Sequence, residues 1–181
     1  DMERFPLKVR DLIIMSVDDE QGPLRITWGP LEDRALNDLP NAAMRGDRLY
    51  PPMNVGDVFT DFTGTVMSID PSGRGADETG YAVVKMLNGY LYVVACGGLS
   101  GGYDDVTLTE LSHIAKKYKV NHVVVESNFG DGMFMKLLQP VISKIHPVLI
   151  EEVRHSKQKE RRIIDTLEPV MMRHKLVFDP K

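Results

Sequence analysis

Two carboxylates are set apart by where they fall in the chain. Asp70 closes the apolar run Thr65-Val-Met-Ser-Ile69, and Glu126 closes Val120-Asn-His-Val-Val-Val125. Both runs have the β-branched and aliphatic character of strands. A stretch that cannot continue the strand follows each acid. After Asp70 it is Pro71-Ser-Gly-Arg-Gly-Ala-Asp77-Glu-Thr-Gly80; after Glu126 it is Ser127-Asn-Phe-Gly130. An acid at a strand end, beside a turn whose glycines keep side chains out of the way, is placed to hold a divalent cation against a phosphate. The expectation is that Asp70 and Glu126 meet in space and bind metal for phosphodiester hydrolysis.

Each of these residues also has a plainer reading. Asp70 precedes a proline and can simply start a turn, and Glu126 can cap the next helix or pair with a lysine. Asp77 either orients a metal-bound water or serves the turn. Asp131, between Gly130 and Gly132, either helps to present Glu126 or starts a helix. Asp165 is a further acid for such a site or an intrahelical partner of Arg161 and Arg162. Asp104 and Asp105 read as capping or solvated residues ahead of a helix. The basic residues Arg154, Lys157, Lys159, Arg161 and Arg162 either grip DNA phosphates or form a solvated face. His113, His122, His146 and His174 lack metal-ligand spacing, whereas His155 sits among cations just after a strand. Phe129 reads as core or as a DNA contact.

The elements that must position these groups are bounded by composition. With 181 residues, 43% hydrophobic and 27% charged, the chain is sized for one domain plus an arm. No apolar run approaches the roughly 20 residues of a membrane span, so no membrane partner is expected. The single cysteine, Cys96, excludes an internal disulfide and reads as a core thiol in a reducing compartment. Net charge is −4, so DNA binding requires a local basic patch. The chain opens at Asp1 with no methionine or signal peptide and reads as an excised piece of something longer.

In order, Leu7–Met15 and Leu24–Trp28 are strand candidates, and Gly29–Phe62 is a long irregular connector rich in Pro, Asn, Asp and Gly. Three strands follow, at Thr65–Asp70, Gly80–Met86 and Tyr90–Cys96, the last two joined by Leu87-Asn-Gly89. Gly97–Asp105 reads as a loop. A helix starts at Thr107 with a capping box to Glu110. The strand to Glu126 comes next, then a helix through Ile145 that Pro140 bends or divides. A strand at Pro147–Val153, a last helix carrying Ile163 to Met171, and a short strand at Leu176–Phe178 complete the chain. The predicted fold is α/β and ribonuclease H-like. Its mixed five-stranded central sheet has three antiparallel strands and then parallel strands, with flanking helices.

The segments Asp70-Pro-Ser-Gly-Arg-Gly-Ala-Asp77-Glu-Thr-Gly80-Tyr, Glu126-Ser-Asn-Phe-Gly-Asp-Gly-Met-Phe134 and Asp165-Thr-Leu-Glu-Pro-Val170 carry a closer likeness. They resemble the C-terminal nuclease domain of the large terminase subunit of short-tailed, double-stranded DNA bacteriophages. The resemblance implies a metal-dependent endonuclease that cuts concatemeric phage DNA during packaging, with Asp70 and Glu126 as the first two acids. It implies two Mg²⁺ or Mn²⁺ ions about 4 Å apart, Asp70 bridging both and Glu126 holding one. Hard oxygen ligands without thiolates suit those metals over Zn²⁺.

The implied partners are double-stranded DNA, a packaging ATPase domain of the same polypeptide, the portal and the small terminase subunit. The implied location is the host cytoplasm, at the procapsid. Residues 1–64 then correspond to the connector after the ATPase domain, and 65–181 to the nuclease domain. No Gly-x-x-x-x-Gly-Lys-Ser/Thr phosphate loop occurs, so the ATPase itself is absent. The family's third acid falls on a helix beyond the strand that ends here at Phe178. The chain stops at Lys181, which predicts weaker binding of at least one ion.

Two other classes stay open on the sequence. One is a fragment of a sugar-kinase or actin-like phosphotransferase, which also opens with an acid and a Gly-rich hairpin. The other is a noncatalytic packaging or docking module in which the acids are structural.

Overall fold

The computed structural model describes residues 7–30, 32–39, 47–71, 78–126, 132–154 and 159–181, excepting the side chains of Glu32 and of 159–165. The chain divides into two compact units. One comprises Asp1–Thr63, Met86–Val93 and Lys157–Lys181; the other comprises Gly64–Lys85 and Val94–Ser156.

The first unit begins with five short strands: β1 (Ile13–Ile14), β2 (Gln21–Pro23), β3 (Ile26–Thr27), β4 (Asn54–Val55) and β5 (Phe59–Asp61). β2 pairs antiparallel with β5, and β3 with β4. The stretch read as a connector therefore contains two strands, too short to leave a periodic trace in sequence. Gly22 is fixed by packing, since a Cβ there would lie 2.8 Å from the Phe62 ring.

The second unit holds most of the long elements: β6 (Gly64–Asp70), β7 (Glu78–Leu87), β8 (Tyr90–Ser100), α1 (Asp105–Lys117), β9 (His122–Glu126), α2 (Met133–Ile145) and β10 (Leu149–Val153). Strand order is β8-β7-β6-β9-β10. β9 runs parallel to both β6 and β10. These five are the expected strands, in a sheet that counts seven and not five, and the fold is ribonuclease H-like. The turn between β7 and β8 is Asn88-Gly89, with φ of 50° and 80°. That is the positive-φ pair a tight hairpin needs and an Asn-Gly sequence supplies at least cost. β7 and β8 pass through both units, because Met86–Val93 belongs to the first. There β11 (Leu176–Phe178) pairs in parallel with Leu91–Val93, and β1 with β11, after α3 (Lys159–Met172).

Alternation along the strands builds the core of the second unit. Met67, Ile69, Val83, Val123 and Val125 point to one side, where Leu108, Leu111 and Ala115 of α1 and Phe134, Leu138 and Ile142 of α2 cover them. Burial of each such side chain stabilises by roughly 1.5–3 kcal/mol. Lys85 also points to this side and is buried. Its Nζ donates to the Tyr118 carbonyl at 3.2 Å and to Thr65 Oγ1 at 3.4 Å. Tyr118 is the C-cap of α1, so the cation meets the negative end of a helix, which offsets part of its desolvation.

Several expectations are corrected. β8 continues to Ser100, so Gly97–Ser100 is strand and not loop. Cys96 is exposed and is no core thiol. Val94, Ala95 and Leu99 all pack against the same core, which strict alternation forbids. The phase of β8 therefore changes between them, as at a β-bulge, and the thiol escapes burial. α1 starts two residues earlier than predicted, with Asp104 as its N-cap accepting from the Thr107 N–H at 2.7 Å. Thr107 is buried and its hydroxyl donates to the Ser100 carbonyl. α2 runs undivided through Pro140, whose exposed position lets solvent reach the carbonyl left without an N–H donor. Among the described residues, no helix is long and apolar enough to cross a membrane.

Candidate metal centre

The acids at the two strand ends converge. β6 and β9 pair in parallel with Val66 opposite His122, Met67 opposite Val123, Ser68 opposite Val124 and Ile69 opposite Val125. The next residues along are Asp70 and Glu126, each the last of its strand. In-register positions of a parallel pair share a face, and neighbouring strands lie about 4.8 Å apart. Since Ile69 and Val125 are buried beneath the helices, Asp70 and Glu126 point to the opposite side, where both are half-buried. Val153 of β10 stands opposite Glu126 in the next ladder.

Gly80 of β7 faces Asp70 from the other flank, and a Cβ built on it would lie 4.0 Å from Asp70 Cβ. Glu78, two residues earlier on the same side of β7, lays its carboxylate over Gly98 of β8, where a Cβ would overlap it. The sequence reading did not single out Glu78 or Gly80. The available signal was the period of two in Thr79, Tyr81, Val83 and Lys85, which sends the residues between them to the Asp70 side. Burial raises the pKa of the Tyr81 hydroxyl on the core side, reinforced by Tyr118.

Farther from the acids on their own face, His122 Nε2 approaches Glu151 Oε2 at 3.0 Å across β9 and β10. His146 Nε2 meets the Val120 carbonyl at 2.8 Å. His174 stacks on Trp28 at 3.5 Å between ring centroids. Each of these three histidines, which lack metal-ligand spacing in the sequence, thus has a contact within the fold. Arg154 is exposed, and its Nε lies 4.0 Å from Glu152 Oε1, the outer limit of an ion pair. Glu152 sits close to Gly132 at the start of α2, where a carboxylate complements the helix dipole.

Asp77, Phe129, Asp131, His155 and Lys157 lie outside the described residues. Lys159, Arg161 and Arg162 fall on α3 and not ahead of it, Asp165 lies on the same helix as expected, and only the backbone of these four is described. Among the described residues, no group of three or more His, Cys, Asp or Glu is placed to hold a metal ion. Among the described residues, the oxygen donors that the two strand ends bring together are these two carboxylates, a pair that suits a hard cation. Mg²⁺ is commonly held through one or two protein carboxylates, its other positions going to water and substrate phosphate. A second ion needs more oxygen donors than the described residues assemble.

Comparison with known proteins places the chain. It is 45% identical over 178 residues, 98% of its length, to the large terminase subunit of Enterobacteria phage T3, and spans 30% of that relative. Among solved structures, it resembles the nuclease domain of the large terminase subunit of bacterial virus Sf6. That match has 14% identity and a TM-score of 0.47, and covers 65% of this chain and 64% of the other. The human cytomegalovirus terminase nuclease domain matches at 10% identity and a TM-score of 0.49, over 66% of each chain. Residues 69–176, more than half of the chain, match the family described as the bacteriophage T7 terminase ribonuclease H-like domain. That match takes in Asp70, Glu126 and all three helices, and the chain belongs to this terminase family.

Proposed function

We propose that the chain is a metal-dependent DNA endonuclease of a phage genome-packaging motor, cutting concatemeric double-stranded DNA by phosphodiester hydrolysis. One observation carries the reading: Asp70 and Glu126 end adjacent parallel strands on the same face, in a member of a terminase family. Asp70 and Glu126 are the residues that would hold Mg²⁺ or Mn²⁺. When bound, such an ion acidifies water and neutralises charge building on the phosphate.

The chain's own residues supply position. Ile69 and Val125, locked in the core, fix the strand ends, so the two carboxylates keep a set spacing without strain. Gly80 keeps the flank of Asp70 low. Water adds across the P–O3′ bond, leaving a 5′ phosphate and a 3′ hydroxyl. On the same reading Asp77, Asp131 and Asp165 are supporting residues, and Arg154, Lys157, Lys159, Arg161 and Arg162 contact DNA phosphates. Residues 1–64 are the connector following an ATPase domain of the same polypeptide. The portal and the small terminase subunit are its partners, at the procapsid in the host cytoplasm.

The test is incubation of the chain with supercoiled plasmid and Mn²⁺. Nicked and linear products are expected, and Asp70→Ala should reduce them to background while the melting temperature stays that of the parent. A variant that cuts as well as the parent removes Asp70 from the chemistry. A parent that nicks nothing at any concentration points instead to a noncatalytic docking module.

A further inference from the structure

Among the described residues, nothing requires a glycine at position 80, which stands beside Asp70. A glycine inside a strand costs about 0.5–1 kcal/mol relative to alanine. Such a residue marks a bulge, a bend, or a place where a ligand or another backbone comes close. The other glycines nearby are accounted for. A Cβ at Gly97 would lie 3.0 Å from the Tyr81 hydroxyl, and one at Gly98 would overlap the Glu78 carboxylate. Gly101 has a φ of 103°, which side chains resist.

Gly80 meets none of these conditions. Its φ is not among the positive values. Among the described residues, a Cβ there touches only Asp70 Cβ, at 4.0 Å, an ordinary contact. β7 has no bulge at this point, because Thr79 and Val83 are fully buried and Tyr81 between them packs on the same core. Among the described residues, the explanation that this leaves is close approach from the site face.

We propose that Gly80 is a clearance residue: it keeps the sheet bare next to Asp70 so that the sugar–phosphate backbone of DNA can lie against β7 with one phosphodiester at Asp70 and Glu126. This rests on the nuclease reading above. The chemistry that recognises the ligand is a phosphodiester chain crossing the half-buried backbone beside Asp70, in a place where any side chain would lift it from the carboxylates. Gly80 is a positioning residue and does not touch the metal.

The test compares the parent with Gly80→Val and Gly80→Ala in three measurements: Mn²⁺ binding by calorimetry without DNA, nicking of supercoiled plasmid, and thermal melting. Valine favours strands, so Gly80→Val should melt at or above the parent temperature and bind Mn²⁺ with the parent's affinity. Its cutting should fall about 100-fold, the loss typical when a reacting group is displaced by roughly 1 Å. Gly80→Ala should fall between the two, and it decides the matter if the valine variant does not fold. Full-rate cutting by the folded variants overturns the proposal and leaves the nuclease reading standing. Equal loss of Mn²⁺ affinity and of cutting also overturns it, since the damage is then to the metal site. A parent that neither binds Mn²⁺ nor cuts takes down the nuclease reading and this inference together.

Discussion

The two faces of β6 and β9 are made by the same strands and behave as different materials. Toward α1 and α2 they present Met67, Ile69, Val123 and Val125, none more than 1% exposed. Away from the helices they present Val66, Ser68, Asp70, His122, Val124 and Glu126, all half-buried. A period of two assigns adjacent residues to opposite duties: Ile69 to holding the fold and Asp70 to the candidate chemistry. Because both hang from one rigid ladder, the core fixes where the acids stand without touching them. Substitutions one position apart should therefore separate stability from metal binding.

The largest effect is expected on the buried side. Ile69→Ala removes a fully buried side chain and should cost about 2–5 kcal/mol of stability, read by denaturant unfolding. The folded fraction should still bind Mn²⁺ with nearly the parent's affinity, because the strand that carries Asp70 stays paired to β9. If metal affinity collapses as well, the two faces are not independent and the core does more than hold the strands. Glu126→Gln is the reciprocal change, keeping shape and removing charge. Mn²⁺ affinity should drop by more than the 10- to 100-fold typical of residues that merely support a ligand. Stability should move by no more than about 0.5 kcal/mol, as for substitutions away from the core. A variant that unfolds easily yet binds metal normally would reverse the assignment of faces at this strand.

Much of this contrast was legible in the sequence. Asp70 and Glu126 each end an unmistakable apolar run, and Asn88-Gly89 specifies its turn locally through two positive φ values. What was hidden depends on partners distant in the chain. Gly97 and Gly98 look like loop residues, yet they are strand residues cleared for the Tyr81 ring and the Glu78 carboxylate. Cys96 sits in an apolar run, and only the phase change in β8 turns it outward. Alternation puts Lys85 on the core side, and what lets a cation stay there is a helix end 33 residues away. Gly80 lies within the acidic motif, yet its reason cannot be read there, because a glycine's reason is the space around it. β4 and β5 were invisible because strands of two and three residues leave no periodicity.

The smallest expected effect concerns the helix that covers the buried face. Asp104 caps α1, and its pKa is lowered first by the Thr107 backbone N–H and then by the Thr107 hydroxyl. The folded state therefore favours the ionised carboxylate. The resulting stability is present above the ordinary aspartate pKa of about 3.9 and is lost as pH falls through the lowered folded value. Asp104→Ala should melt slightly below the parent at neutral pH, with the gap narrowing in acid below that range. Asp104→Asn keeps an acceptor and should recover part of the difference without that acid dependence. Mn²⁺ affinity should be unchanged in both variants, since the cap bears on the helix side of the sheet. A gap that stays constant into acid would mean that the hydroxyl and amide of Thr107 hold the helix start without the charge, and a shift in metal affinity would mean that α1 sets the position of the acids through the core.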